Sequence, residues 1–365
     1  MRFETLMDNH SPQSSGETTS HSTKPASGRG GERENPMFYS DQAAGLRKLL
    51  ACSSARVITV LGACNGLGVT SLVANLAAVF THTGKDVLVL DENQSHANVA
   101  QTLGLRARYD LLHAVRGDKT WHDALLQRDD GMAVLPLARA MEALPQLGAA
   151  ERARLLESLL AAAAGRDLVL VDAARGGHSL CASLSGDEPL LLVLNPTASG
   201  ITESYALLKQ MALRNGRQAF AIVVNRVGSE REALTVFDNM AQVARYHLQV
   251  RLEYLGYIPV DEKLKRATQL HRPVVESFPA AASSMALREV AQGMLHAPAA
   301  HGQYGLDGVM QRLVGRFLPN GCENHCAATR HVGLHPQGAG RGCTGLTPQQ
   351  HTHKPDTQSG MVALI

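Results

Sequence analysis

Seven short apolar runs, each too short and too unbroken to be a helix, recur through the middle of this chain: Val57–Leu61, Val87–Asp91, Met132–Leu135, Leu168–Asp172, Leu190–Asn195, Phe220–Asn225 and Leu252–Ile258. Nearly all are continuous rather than alternating, the pattern of strands covered on both faces. Between them lies helical periodicity, as at Ser71–His82, Ala149–Ala163, Ser199–Arg214 and Glu230–Tyr246. Strand and helix in alternation predict an α/β fold with a doubly wound, mostly parallel sheet in a single domain. Ligands are expected at the carboxyl ends of its strands. No internal repeat is visible.

Composition sets the limits of that domain. Of residues 1–36, 17 are Ser, Thr, Gly or Pro, and residues 319–365 hold no aromatic side chain, so neither stretch can bury enough surface to offset its ordering entropy. Both are expected to be disordered tails around a body of 40–297, with the nucleotide-type domain at 55–297. A net charge of +2 is too small to imply a bulk nucleic-acid binder and leaves room for a local patch. No run reaches the roughly 18 apolar residues of a spanning helix and the N-terminus lacks signal-peptide order, so a cytoplasmic protein is expected. Cys52, Cys64 and Cys181 read as reduced thiols. Cys322, Cys326 and Cys343 share the C-terminal tail with several histidines, but Cys-x3-Cys without a second fixed pair misses zinc spacing, and no metal site is expected there.

The first strand runs into Gly62-Ala-Cys64-Asn65-Gly66-Leu-Gly68-Val69-Thr70-Ser71 and then directly into a helix. A glycine turn in that place presents backbone N–H groups and a helix dipole to an anion. A full phosphate-loop signature also needs a lysine before the Ser/Thr, and here that position is Val69. Two readings stand on these residues: a phosphate cradle, or a turn that packs helix on strand.

The stretch 57–105, with Asp91-Glu-Asn93-Gln-Ser-His-Ala-Asn98-Val against the pattern DADxxxANV, resembles the MinD/ParA group of P-loop ATPases. Three further stretches make it similar to the bacterial flagellar-number regulator family (FlhG/FleN). They are Asp41-Gln42-Ala43-Ala-Gly-Leu46-Arg47, which fits that family's DQAxxLR activation motif, Ser204–Lys209, and Leu252–Pro259 followed by Arg272–Glu276. The resemblance implies ATP and Mg2+ as cofactors. It assigns the phosphate cradle to Gly66, Gly68 and the loop amides through Val69, Thr70 and Ser71. Magnesium falls to Thr70, with Asp91 and Asp172 holding metal-bound waters; the alternative for these two acids is a helix cap after a strand. Asn225 would hydrogen-bond adenine, with Pro259 beside the base. Asp91, Asp172 and the residue at 93 would serve catalysis.

The chain also departs from the pattern. The family loop reads KGGxGKT[TS], so its signature lysine is Cys64, its second residue is Asn65 and its Walker lysine is Val69; the second carboxylate of DAD is Asn93. If each lost charge-assisted contact is worth about 1.5–3 kcal/mol, the two lysines cost on the order of 3–6 kcal/mol, or roughly two to four decades of affinity. Hydrolysis should suffer further, because charge stabilisation is nearly all of phosphoryl-transfer catalysis. Arg175, in Asp172-Ala-Ala-Arg175-Gly, stands where the family has small residues; it reads as a replacement cation facing the γ-phosphate, or as a solvated loop arginine or ion pair.

Two surface features complete the reading. Residues 40–50 form a short helix pattern that in the family docks, through Asp41, Gln42, Ala43, Leu46 and Arg47, on a signal-recognition-type flagellar GTPase (FlhF). The other reading is a helix folded back on the body. Within 305–318, apolar residues from Leu306 to Leu318 follow helical spacing, the pattern of an amphipathic membrane-targeting helix or of a last helix docked on the core. The leading expectation is a regulator of flagellar number or placement with a degenerate ATP site, acting on the GTPase, on flagellar switch-ring proteins or on a flagellar transcription factor. A working ATPase that forms a homodimer on ATP and cycles at the inner membrane near the cell pole is the second. A ParA-like partner of DNA or of a transcription factor is the third.

Overall fold

Strands that are apolar on both faces need helices on both sides, and the structure, a computed structural model, supplies them. It describes residues 55–174, 179 and 190–296. The expectations for 1–36, 40–50, Arg175, 305–318 and 319–365 lie outside the described residues.

Eight strands form one sheet: β1 (Arg56–Leu61), β2 (Val87–Asp91), β3 (Leu126–Gln127), β4 (Ala133–Pro136), β5 (Leu168–Asp172), β6 (Leu190–Leu194), β7 (Ala219–Val227) and β8 (Arg251–Pro259). Their order is β3-β4-β2-β5-β1-β6-β7-β8. Every pairing is parallel except β3 with β4. The helices are α1 (Val69–His82), α2 (Val99–Thr102), α3 (Leu111–Arg116), α4 (Trp121–Ala124), α5 (Ala138–Ala143), α6 (Ala149–Ala163), α7 (Ala198–Asn215), α8 (Glu230–Leu248), α9 (Glu262–Gln269), α10 (Val274–Ser277) and α11 (Ala282–His296).

The central strand shows why its run is continuous. Ile58 and Val60 pack into a core with Leu76 and Phe80 of α1 and Val290 of α11. Val57 turns to the opposite face, among Leu155 and Leu159 of α6, and Leu61 joins Leu208 and Met211 of α7. Alternate side chains thus enter different cores, and none is left for water.

All seven expected strands are present, with ends shifted by a few residues, as helix and strand termini commonly are. The strand β3 was not expected: two residues are too few to show a period, and it exists as an antiparallel cover for the edge of β4. At the other edge β8 is only partly buried, so its run is the least continuous. Of the named helices, α6 matches its expected span, while α1 begins at Val69 rather than Ser71 and α8 continues to Leu248.

Beyond β8 the chain returns over the α1 face, and one carboxylate fixes that return. Asp261 caps α9 by accepting from the Lys263 amide at 2.8 Å, and its other oxygen accepts from the Ser283 amide at 3.0 Å and the Ser283 hydroxyl at 2.7 Å. Burial pushes its carboxyl up, but the bonds from Ser283 and Lys263 outweigh this and hold it below 3.8. A folded value below the unfolded one means that the contribution is complete above about pH 4 and is lost as pH falls through the folded value. Asp261→Ala is expected to lower stability by about 1–2 kcal/mol in denaturant unfolding near neutral pH. The difference from the parent should shrink on acidification; a constant difference down to about pH 2 would contradict this assignment.

Candidate functional site

The end of β1 leads into a loop that the backbone makes tight. Gly66 and Gly68 have φ of 82° and 85°, in the left-handed region that suits glycine. Gly68 is the N-cap of α1, and no side chain caps this helix, so its first-turn amides keep the arrangement of an anion cradle. A Cβ on Gly68 would also run into the Asn225 side-chain amide. Gly62 has a different constraint: a Cβ there would lie 2.5 Å from Cγ2 of Val69. The isopropyl group of Val69 therefore packs back on the strand-loop junction, half-buried against the core, and an apolar group stands where a phosphate loop would carry its ammonium.

Thr70 and Ser71 follow in the first turn. The Thr70 hydroxyl donates to Asp172 Oδ2 at 2.7 Å and accepts from Asn93 Nδ2 at 2.8 Å. Ser71 contributes its carbonyl to Asn75 Nδ2 at 2.7 Å, and the Asn75 Oδ1 accepts from the Val274 amide at 2.7 Å, tying α1 to α10.

Asp91 and Asp172 are register partners at the ends of the adjacent strands β2 and β5. Both are closed to solvent, at 2 % and 1 % exposure. Asp91 accepts from the Asn93 amide at 3.0 Å and the Val99 amide at 2.8 Å. Burial nevertheless pushes its carboxyl up to about 6. The bond to Val99 lies at the first turn of α2, so the capping reading of Asp91 is realised in part. Asn98 is the N-cap of that helix, accepting from the Gln101 amide at 2.9 Å.

Glu92 is a site residue that the motif comparison passed over. Its carboxylate, 1 % exposed, accepts from the Ala174 amide at 3.0 Å and so ties the end of β2 to the loop after β5. The signal was available as a carboxylate standing where DADxxxANV has alanine.

Asn225, buried near the end of β7, donates to the Leu67 carbonyl at 2.7 Å while its Oδ1 accepts from the Arg226 amide at 2.9 Å. In this structure it braces the phosphate loop. Pro259 closes β8 in register with Val227, at the same carboxyl edge. Cys64, at the signature-lysine position, is half-buried, and burial together with the neighbouring Glu203 pushes its thiol up. That environment keeps it a thiol and makes it a poor nucleophile.

The fold thus brings Thr70, Asp91, Asn93 and Asp172 into one hydrogen-bonded group beside Gly66, Gly68, Val69 and Ser71, with Asn225 bonded to the loop itself. Arg175 and the five residues of the activation motif lie outside the described residues. Among the described residues no three His, Cys, Asp or Glu side chains are arranged to hold a metal ion by themselves. The Thr70 hydroxyl beside the Asp172 carboxylate, with Asp91 in register on the next strand, fits a divalent cation whose other ligands are phosphate and water.

Comparison with known proteins agrees with this geometry. The model of the CobQ/CobB/MinD/ParA nucleotide binding domain matches residues 58–274. The antiactivator FleN of Pseudomonas aeruginosa is 30% identical over 248 residues, which is 68% of this chain and 89% of that protein. The flagellum site-determining protein YlxH of Helicobacter pylori is 26% identical over 235 residues, 64% of this chain and 76% of that protein. Among solved structures, the MinD cell division protein of Aquifex aeolicus superposes with a TM-score of 0.50 at 24% identity, covering 67% of this chain and 98% of its own. The Pyrococcus horikoshii septum site-determining protein MinD complexed with Mg-ADP gives a TM-score of 0.50 at 21% identity, over 66% of this chain and 96% of that one. These two likenesses concern the fold. With well over half of its length matched, the chain belongs to the CobQ/CobB/MinD/ParA nucleotide-binding domain family.

Proposed function

We infer that this protein is a MinD-like regulator of flagellar number or placement, working through protein partners, in which the ATP site is degenerate. One observation carries the second half of that reading: the phosphate loop keeps its left-handed glycines and its Thr70–Asp172 bond, while Val69 fills the junction where the charge should be. The first half is supported by the identity to FleN and YlxH, two proteins whose names concern the flagellum or activation.

ATP with Mg2+ is the ligand class. Gly66, Gly68 and the amides of Val69, Thr70 and Ser71 would cradle the phosphates. Thr70 would offer its hydroxyl to the cation, and Asp91 and Asp172 would hold its waters. Asn225 and Pro259 would flank the base, and Arg175 would supply a cation on the γ-phosphate side. Without lysines this set binds weakly and moves little charge in a transition state, so turnover is absent or close to background. Regulation then rests on contacts: Asp41, Gln42, Ala43, Leu46 and Arg47 on the signal-recognition-type GTPase, with switch-ring proteins, a second copy of the chain and the inner-membrane surface as further partners. Among the described residues no helix is long and apolar enough to cross a membrane. The word antiactivator in the name of FleN favours a flagellar transcription factor as a second partner class.

Calorimetric titration of the purified chain with ATP and Mg2+ should give weak or undetectable binding and no phosphate release above buffer. Val69→Lys with Cys64→Lys should raise the affinity by at least about tenfold. Robust magnesium-dependent turnover by the parent chain would overturn the degenerate-site reading. A peptide covering 39–51, and the full chain, should each accelerate GTP hydrolysis by the cognate GTPase. Leu46→Ala and Gln42→Ala should each reduce that stimulation without changing the thermal midpoint of the full chain. Failure of both peptide and chain against active GTPase would move the proposed partner to the transcription factor.

A further inference from the structure

We propose that Asn93 is a clamp, a positioning residue whose neutral amide ties the loop between β2 and α2 to the phosphate loop with no need of a nucleotide or a metal ion.

The chemistry begins with the single proton of the Thr70 hydroxyl. That proton is committed to Asp172 Oδ2 at 2.7 Å. Any second polar neighbour of Thr70 Oγ1 must therefore be a donor. Asn93 Nδ2, at 2.8 Å, is one. The carboxylate of the DAD pattern could not make this bond. Ionised, it would face the lone pairs of Thr70 with the Asp172 charge directly behind them.

The amide is fixed in this sense by its surroundings. Its Oδ1 accepts from the Ser95 amide at 3.0 Å, which turns the NH2 group toward Thr70, and Nδ2 also reaches the Ala97 carbonyl at 3.3 Å. The loop is thus wrapped around its own side chain. At the two ends of the segment, the Asn93 and Val99 amides both donate to Asp91. Through Asn93, Thr70 and Asp172 the loop, the first turn of α1 and the end of β5 are linked by a neutral amide and a hydroxyl.

In a metal-dependent switch a cation and its water shell make this link, so loop position reports what is bound. Here a neutral amide makes it, and loop position is set by the sequence. This deepens the proposed degenerate site and rests on that reading for its regulatory meaning, whereas the clamp itself is measurable with no nucleotide present.

Hydrogen exchange of the full chain without nucleotide gives the test. In the parent, amides of Ser95 to Val99 should be protected, and 10 mM MgCl2 should leave them unchanged. Asn93→Asp and Asn93→Ala should each speed their exchange by about tenfold, with β5 amides unaffected. MgCl2 should restore protection in Asn93→Asp, where a carboxylate is again available, but not in Asn93→Ala. Thr70→Val should give the same acceleration alone and add nothing to Asn93→Ala, which keeps the test valid should Asn93→Asp fail to fold. Equal exchange in parent and Asn93→Ala, or slowing of the parent by MgCl2, would overturn the clamp. Failure of the degenerate-site reading would show separately, as turnover in the ATP titration.

Discussion

The burial of β1 on both faces is the constraint from which the site follows. The strand lies between β5 and β6 inside an eight-stranded sheet, with Ile58 and Val60 in one core and Val57 and Leu61 in others. A slip of one residue would exchange these sets, so the register is strongly specified. The point at which the chain leaves the sheet is then fixed, and two glycines at positive φ turn it into α1. Because β5 neighbours β1 and pairs on its other edge with β2, Asp172 comes beside Thr70 and Asp91 beside Asp172. The group around Thr70 is a consequence of strand order before it is a consequence of any ligand.

Charge explains why the substitutions occur together. Asp91, Glu92 and Asp172 are all buried at the ends of two adjacent strands, and the loop facing them has no lysine. A buried carboxylate is costly unless donors or cations surround it. Backbone amides serve Asp91 and Glu92, and the Thr70 hydroxyl serves Asp172. Even so, burial moves Asp91 up to about 6. A fourth acid at position 93 would add repulsion, and the glycine loop at 62–71 holds no lysine or arginine to offset it. Replacing it by Asn93 removes one negative charge and adds a donor, so the neutral residue at 93 is the electrostatic counterpart of the missing lysines.

Much of this was legible in the sequence because it depends on period and punctuation. Continuous runs marked the buried strands, and Gly66 and Gly68 stood out as a glycine turn between strand and helix, while Thr70, Asp91 and Asp172 were assigned by the resemblance to the MinD/ParA pattern. Three features were not legible. The two-residue strand β3 has no period to detect. The direction in which Asn93 presents its amide depends on Ser95 and Ala97 folding around it, which is tertiary information. Asn225 was read as a contact for the base, but its bond to the Leu67 carbonyl joins residues 158 positions apart and could be seen only in three dimensions. Glu92 was visible and passed over, because a motif directs attention to the positions it fixes.

The half-kept loop separates what the fold requires from what only a nucleotide requires. Gly62 must be small because Val69 packs on it, and Gly68 must be glycine because of its φ and because Asn225 fills the space above it. Thr70 is held by Asp172 and Asn93. Each of these residues has a packing or hydrogen-bonding reason to be present that involves no nucleotide. Val69 rests against the core as an apolar group, whereas Cys64 has Glu203 beside it, an acidic neighbour that a cation at 64 would meet. The features present are those that the packing uses, and the lysines missing at 64 and 69 are those that phosphoryl transfer would use. The outline of such a loop alone is not evidence of an ATPase.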